Sequence, residues 1–382
     1  MSRATLTWSG VTARRMARHA LTEPATDRSL AEVAGALCGV HAQVLSAAEL
    51  SIGRRVAGAT RADLRQALWE ERSLIKTFGP RGTVHLLATA DLPMWTGALS
   101  ALSSSVPPDG FTPDQAEQVI GAIGDVLADA ELTVDELTDA IASLVGAWAV
   151  ETTLEAFGGK WPRWRQLTST AAHRGMLCFG PDNGRKVTYT NPHRWLPGFR
   201  PADGDAALRW LVARYLNAYG PATPRHFGRW LGIPRRHAVE LFGQLGDDVE
   251  CVDLDGEPAW TVAGDTAVPP EPHRGVRLLP YFDVYVVAGQ PRERVYPGLA
   301  ATRALTPTGQ AGNYPVLLID GVVGGVWHQR RAGRNLAITV EPLGELTAAQ
   351  RRQLDAEVDL VGHVMQAKPT LTIGPVTVGA HA

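Results

Sequence analysis

The chain has 382 residues, 45% hydrophobic and 20% charged, with 37 Lys and Arg against 39 Asp and Glu for a net charge of −2. These values predict two to four globular units with ample apolar material for cores, and the near-neutral balance does not by itself mark a nucleic-acid binder. No run approaches eighteen apolar residues, the start lacks an apolar stretch of signal-peptide length, and Cys38, Cys178 and Cys251 fit neither a disulfide framework nor a zinc spacing, so a reduced, cytoplasmic, nucleoid-associated protein is expected.

Apolar spacing predicts helices over 12–21, 29–39, 43–56 and 60–71, followed by a hairpin over 73–87. Between the second and third of these lies "GVHAQV", where His41 and Gln43 flank Ala42 in an otherwise apolar run. On a regular helix, residues two apart point about 160° from one another and could not share a task. In an extended segment they share a face, with Ala42 directed the other way. Gly39 permits the break, which assigns the pair to the connection between two helices.

Further along, 112–129 reads as a helix, Thr133 to Glu136 is a capping box opening a second, and "WPRWRQLTSTAAHRG" reads as a third. A hairpin then turns across Asn183-Gly184. The order recurs in 205–263. One helix stops at Gly220, Thr223 caps and Pro224 opens a short one ending near Gly232, Pro234 opens another, and a hairpin turns across Asp255-Gly256. Three helices followed by a hairpin describe a winged helix, here in three degenerate copies. Beyond residue 265 the segments 276–297 and 314–344 read as strands, and an amphipathic helix follows. The expected fold class is α+β: three tandem winged-helix units over 1–110, 111–195 and 196–265, then a small C-terminal β domain with a terminal helix over 266–382.

Arginines crowd "KWPRWRQLTSTAAHR", "TPRHFGRWLGIPRRH" and "WHQRRAGR", and arginine is favoured where planar contacts to phosphate or base edges matter. Winged helices mostly bind nucleic acid, and three without flexible linkers predict a fixed assembly wrapping a duplex. The candidate DNA contacts are Arg81, Arg163, Arg165, Arg235, Arg236 and the run Trp327, His328, Gln329, Arg330 and Arg331, where an aromatic among arginines at a turn would probe a groove or stack on a base. Taken singly, each cluster is more commonly a solvated helix face or a charge-guarded edge strand. His85 reads as structural, and Asp283 as a strand-end turn acid with a catalytic carboxylate as the rarer case. "GVVGG" is no phosphate loop, because no Lys-Ser/Thr follows.

"FGPRGTVHLL" resembles the W-x-x-R-G-T-(L/V)-H hairpin of the AlkZ-like DNA glycosylases, with Phe78 in the aromatic slot. "AYGPATPRHFGRWLGI", "LLPYFDVYVVA" and "VLLIDGVVGGVW" are also similar to that family's pattern, so the resemblance runs from about residue 5 to 365. It implies tandem winged helices with a C-terminal β domain, and excision of N7-alkylated guanine and related adducts from DNA, including bulky genotoxin products and interstrand crosslinks. The family's Gln-Φ-Gln or Gln-Φ-Asp motif, Φ being apolar, aligns with His41-Ala42-Gln43. Gln43 keeps the second position, and His41 departs from glutamine at the first, a departure that bears on substrate range more than on activity.

The chemistry asks little of these side chains. N7-alkylation puts a positive charge on guanine and makes it a good leaving group, and what remains is to place a water at an oxocarbenium-like C1′. A carboxamide oxygen and a neutral imidazole nitrogen both accept from that water, although neither is a strong base. The expectation is therefore a monofunctional DNA glycosylase with His41 and Gln43 catalytic. It would need no cofactor or metal, act as a monomer, and take double-stranded DNA carrying alkylated guanine as its partner. The rival readings are a non-catalytic winged-helix regulator or damage sensor, and a protein-interaction scaffold.

Overall fold

The computed structural model describes residues 3–103, 107–156 and 159–380. Two compact units emerge, Met1–Ala67 with Val212–Ala382, and Leu68–Leu211. None of the boundaries expected at 110, 195 and 265 coincides with this division.

Strand β1 (Thr5–Leu6) leads into α1 (Trp8–Arg18), where the Thr7 hydroxyl accepts from the Gly10 N–H. Helix α2 (Leu30–Ala36) opens on a Ser29–Glu32 capping box. Two consecutive left-handed residues, Cys38 (φ 57°) and Gly39 (φ 81°), then turn the chain into the short strand β2 (Val40–His41). Helices α3 (Leu45–Gly53) and α4 (Arg61–Trp69) follow.

In the unit 68–211, β3 (Leu74–Phe78) pairs antiparallel with β4 (Val84–Ala88) as the expected hairpin. After α5 (Leu92–Ala101) come α6 (Pro113–Leu127), β5 (Glu131–Thr133) and α7 (Val134–Val145), the last opened by the anticipated Thr133–Glu136 capping box. The helix expected over 161–175 is shorter than its sequence suggests. Strands β6 (Thr152–Ala156) and β7 (Gly159–Pro162) form an antiparallel pair that draws Trp161 and Pro162 into extended backbone. A 3-10 turn over Arg163–Leu167 then precedes α8 (Thr168–His173). Strands β8 (Cys178–Phe179) and β9 (Thr188–Thr190) pair antiparallel, and β5 joins the free side of β9.

Helix α9 (Gly204–Tyr219) carries the chain back to the first unit, where α10 (Pro224–Leu231) and α11 (Arg235–Gln244) precede the hairpin β10 (Val249–Leu254) and β11 (Glu257–Val262). Thr223 caps α10, and left-handed Gly232 ends it. Tyr215, Phe227, Trp230, Phe242 and Trp260 pack ring to ring beneath these helices. A bridge from Ala222 to Trp260 places a strand-like residue between the first and second helices against the hairpin, as β5 does in the other unit. Three helices and a hairpin follow one another as expected from the sequence, and the strand-like residue between the first two helices is an addition that the sequence reading did not include.

The remainder is β12 (Val276–Leu279), α12 (Val284–Ala288), α13 (Arg292–Val295), α14 (Leu299–Ala304), β13 (Val316–Ile319), β14 (Val322–Ala332), β15 (Asn335–Pro342), α15 (Ala348–Val364) and β16 (Lys368–Ile373). The five strands form one sheet in chain order, antiparallel except for the last pair, β15 with β16. "DVYVVA", expected as strand, is helix α12 instead. The Asp283 carboxylate accepts the Tyr285 N–H and caps it, and such a cap decides the issue for a short β-branched run. Both faces of the sheet are covered. Met16, Leu21, Tyr285 and Val326 belong to one core, and Leu50, Trp327, Val358 and Val361 to the other. Helices α1 and α3 are thereby seated on the same sheet, and burial of these side chains stabilises their docking by about 1.5–3 kcal/mol each.

Candidate active site

The His41-Ala42-Gln43 stretch lies on the connection between α2 and α3, off any helix, as its spacing requires for a joint role. His41 ends β2 and is 8% exposed, Ala42 is 1% exposed, and Gln43 is exposed just ahead of α3. Upstream, the Tyr219 hydroxyl donates to the Leu37 carbonyl at 2.7 Å, which fixes the chain immediately before the Cys38-Gly39 turn. Beside the imidazole stands the ring of Phe282, with centroids 6.3 Å apart and planes tilted by 46°. Tyr281 lies 6.2 Å further on.

Helix α3 is pinned at its far end by two consecutive arginines that pair with different elements. Arg54 donates to Glu357 of α15 at 2.6 Å, and the same carboxylate oxygen accepts the Leu278 N–H of β12. Arg55 makes a two-pronged pair with Asp283, 2.8 Å on each side, and neither residue is exposed to solvent. The Ser51 hydroxyl and the Tyr285 N–H also donate to that carboxylate. Burial pushes the Asp283 carboxyl up, and the Arg55 charge with these hydrogen bonds outweighs it, so the net shift is downward. Asp283 is thus a fully bonded, buried anchor just past the turn after β12, in keeping with a turn acid and against the catalytic alternative. Within α3, the fully buried Glu49 holds Arg61 and Arg65 of α4.

The basic hairpin differs from expectation. Trp327 sits within β14, is 0% exposed, and donates its ring N–H to the Leu279 carbonyl at 2.8 Å. It cannot probe a groove, because both sheet faces are covered and its place along the strand points it into a core. His328 and Gln329 are half-buried, and burial lowers the His328 pKa. Arg330 and Arg331 are exposed near the Gly333-Arg334 turn, with Arg331 donating to the Gly333 and Met365 carbonyls.

Arg235 and Arg236 are exposed in the first turn of α11, where no acid accompanies them. In the unit 68–211, Arg81 is exposed at the tip between β3 and β4, in left-handed backbone (φ 61°). Arg163 and Arg165 are half-buried. Arg163 lies over Phe111 at 4.8 Å, and Arg165 over Trp161 at 3.5 Å. His85 is structural: it is 2% exposed, its Nδ1–H donates to the Thr83 carbonyl, and burial takes its pKa down to about 3. The sequence reading missed Arg55 and Phe282. "GRRV" closing an apolar helix signals buried arginines, whereas Phe282 carried no mark beyond its place next to Asp283. Among the described residues no group of His, Cys, Asp and Glu is arranged to hold a metal ion.

Over residues 33–364 the sequence matches the family described as DNA glycosylase AlkZ-like. A relative from Streptomyces sahachiroi, an interstrand DNA cross-link repair glycosylase, is 32% identical over 334 residues, spanning 84% of this chain and 87% of its own. The solved structure of the Streptomyces sahachiroi DNA glycosylase AlkZ is similar with a TM-score of 0.83 at 30% identity, over 97% of this chain and 100% of that one. With sequence and fold agreeing over nearly the whole length, the chain belongs to the AlkZ-like DNA glycosylase family.

Proposed function

We propose that this chain excises bulky N7-alkylguanine adducts from double-stranded DNA, and unhooks crosslinks made through the same position, by hydrolysis of the N-glycosidic bond. The observation that carries the reading is the non-helical placement of His41 and Gln43, with the exposed carboxamide at the mouth of a rigidly anchored helix. The Gln43 side-chain oxygen accepts from the attacking water, and His41, mostly buried behind it, orients that water and faces the positive charge developing on the sugar. Acceptors of this strength suffice when the leaving base is already cationic. They are too weak for a neutral base, so undamaged DNA is spared. Arg81, Arg235, Arg236, Arg330 and Arg331 supply the exposed cations for the DNA backbone, and a monomer suffices for all of these roles.

The direct test is to incubate purified protein with duplexes bearing N7-methylguanine, an intercalator-type N7 adduct and an N7-linked crosslink, then assay for abasic sites. Excision of at least one is expected, and Gln43→Ala is expected to slow it roughly 100-fold. Unaltered DNA on all three substrates would overturn the activity in favour of a damage sensor or regulator. Full activity in Gln43→Ala would overturn the residue assignment alone.

A further inference from the structure

Phe282 occupies backbone space that a bulky side chain seldom enters, with φ at +54°. The surroundings hold it there from three sides. The next residue, Asp283, is locked by Arg55 and Ser51. The Phe282 N–H donates to the Gly312 carbonyl at 3.2 Å. Gly312, itself left-handed at φ 100°, leaves room for the ring, since a Cβ there would stand 2.9 Å from Phe282 Cδ1. A strained position maintained this completely points to function. What it achieves is a pair of partly exposed aromatic rings, Phe282 and Tyr281, directly beside His41. Neither ring is among the residues of the two buried clusters on the sheet.

We infer that Phe282 is a specificity-determining substrate contact, its ring face receiving the cationic purine of the adduct while His41 and Gln43 address the sugar. This rests on the glycosylase reading above and adds to it a source of selectivity. A π-face attracts a cation more strongly than a neutral ring of the same shape. N7-alkylation places a full positive charge on guanine, so the contact favours the damaged base over its undamaged neighbours. The left-handed backbone at Phe282 fixes where the ring leaves the chain, which lowers the ordering cost on binding.

The test compares Phe282→Leu, which keeps apolar bulk and removes the π-face, with Phe282→Tyr, which keeps it. Gly312→Ala displaces the ring without removing it. Single-turnover excision of N7-methylguanine is expected to fall roughly tenfold in Phe282→Leu and Gly312→Ala and to be retained in Phe282→Tyr, as a lost cation–π contact requires. In Phe282→Leu and Phe282→Tyr, affinity for undamaged duplex and the urea midpoint should stay at wild-type values, whereas Gly312→Ala is expected to lower the midpoint because its backbone is left-handed. A folded Phe282→Leu protein that excises normally, or one that loses damaged and undamaged duplex equally, overturns the inference. If the wild-type protein excises nothing, the glycosylase reading fails separately. Phe282 is then judged on the ratio of affinities for alkylated and undamaged duplex, and a ratio unchanged in Phe282→Leu, or equal to one in the wild type, overturns it.

Discussion

Asp283 and Arg55 meet with zero exposure on either side, and the worth of such a pair lies less in its net energy than in the cost of breaking it. Asp283→Asn leaves a buried guanidinium without its counter-ion, so a loss of about 3–5 kcal/mol is expected in urea unfolding, and a loss below about 1 kcal/mol would contradict the anchor role. Replacing both partners by apolar residues of similar volume should cost much less, since no charge is then stranded. At this scale the sequence was legible where a residue's chemistry conflicts with its neighbours. An imidazole and a carboxamide among Ala, Val and Leu announce themselves, and Gly39 marks the break that sets them off the helix. Phe282 announces nothing, because an aromatic residue in an apolar segment is ordinary and its backbone conformation depends on Gly312, thirty residues downstream.

Helix α11 carries Arg235 and Arg236 in a first turn without any acid, an arrangement that opposes the helix dipole and is therefore unfavourable for the helix alone. A polyanion across from that turn reverses the sign. Arg235→Ala with Arg236→Ala is expected to lower the slope of log affinity against log salt by about two, while the thermal midpoint stays constant or rises. An unchanged salt slope would remove α11 from the DNA contact. Arg163 and Arg165 should behave in the opposite way, because each lies over aromatic rings of its own unit. Their loss is expected to lower stability and leave the salt slope nearly unaltered. Elements bounded by local signals, such as the Thr133 and Thr223 caps and the Asn183-Gly184 turn, were readable in the sequence. The β6–β7 pair and helix α12 were not. The first is decided by cross-strand partners, and the second by a carboxylate whose main partner lies 228 residues away.

Across the whole molecule, burial takes His19 and His85 down to about 3 and His173 and His226 to about 4. Their folded-state values lie below the unfolded value of about 6.5, so the unfolded chain binds more protons in the interval between. Stability from these groups is complete above about pH 7 and is lost as pH falls through 6 toward 4, at up to about 1.4 kcal/mol per pH unit for each. Urea midpoints are expected to be clearly lower at pH 5.0 than at pH 7.5, and equal midpoints would contradict the neutral, buried state of these rings. Asp283, held below its usual range, adds its own loss only below about pH 4. Fold class was legible from the periodicities. The grouping into units was not, since Met1–Ala67 joins Val212–Ala382 and skips what lies between. The parallel pairing of Thr5 with Asp253 and Leu6 with Leu254 gives this grouping a consequence in time. At about 5–20 residues per second a ribosome needs roughly 10–50 s between making one strand and the other. Helices α1 and α3 therefore leave the ribosome long before the sheet on which they are seated, and the N-terminal end of the chain waits for its own C-terminal third before it can take shape.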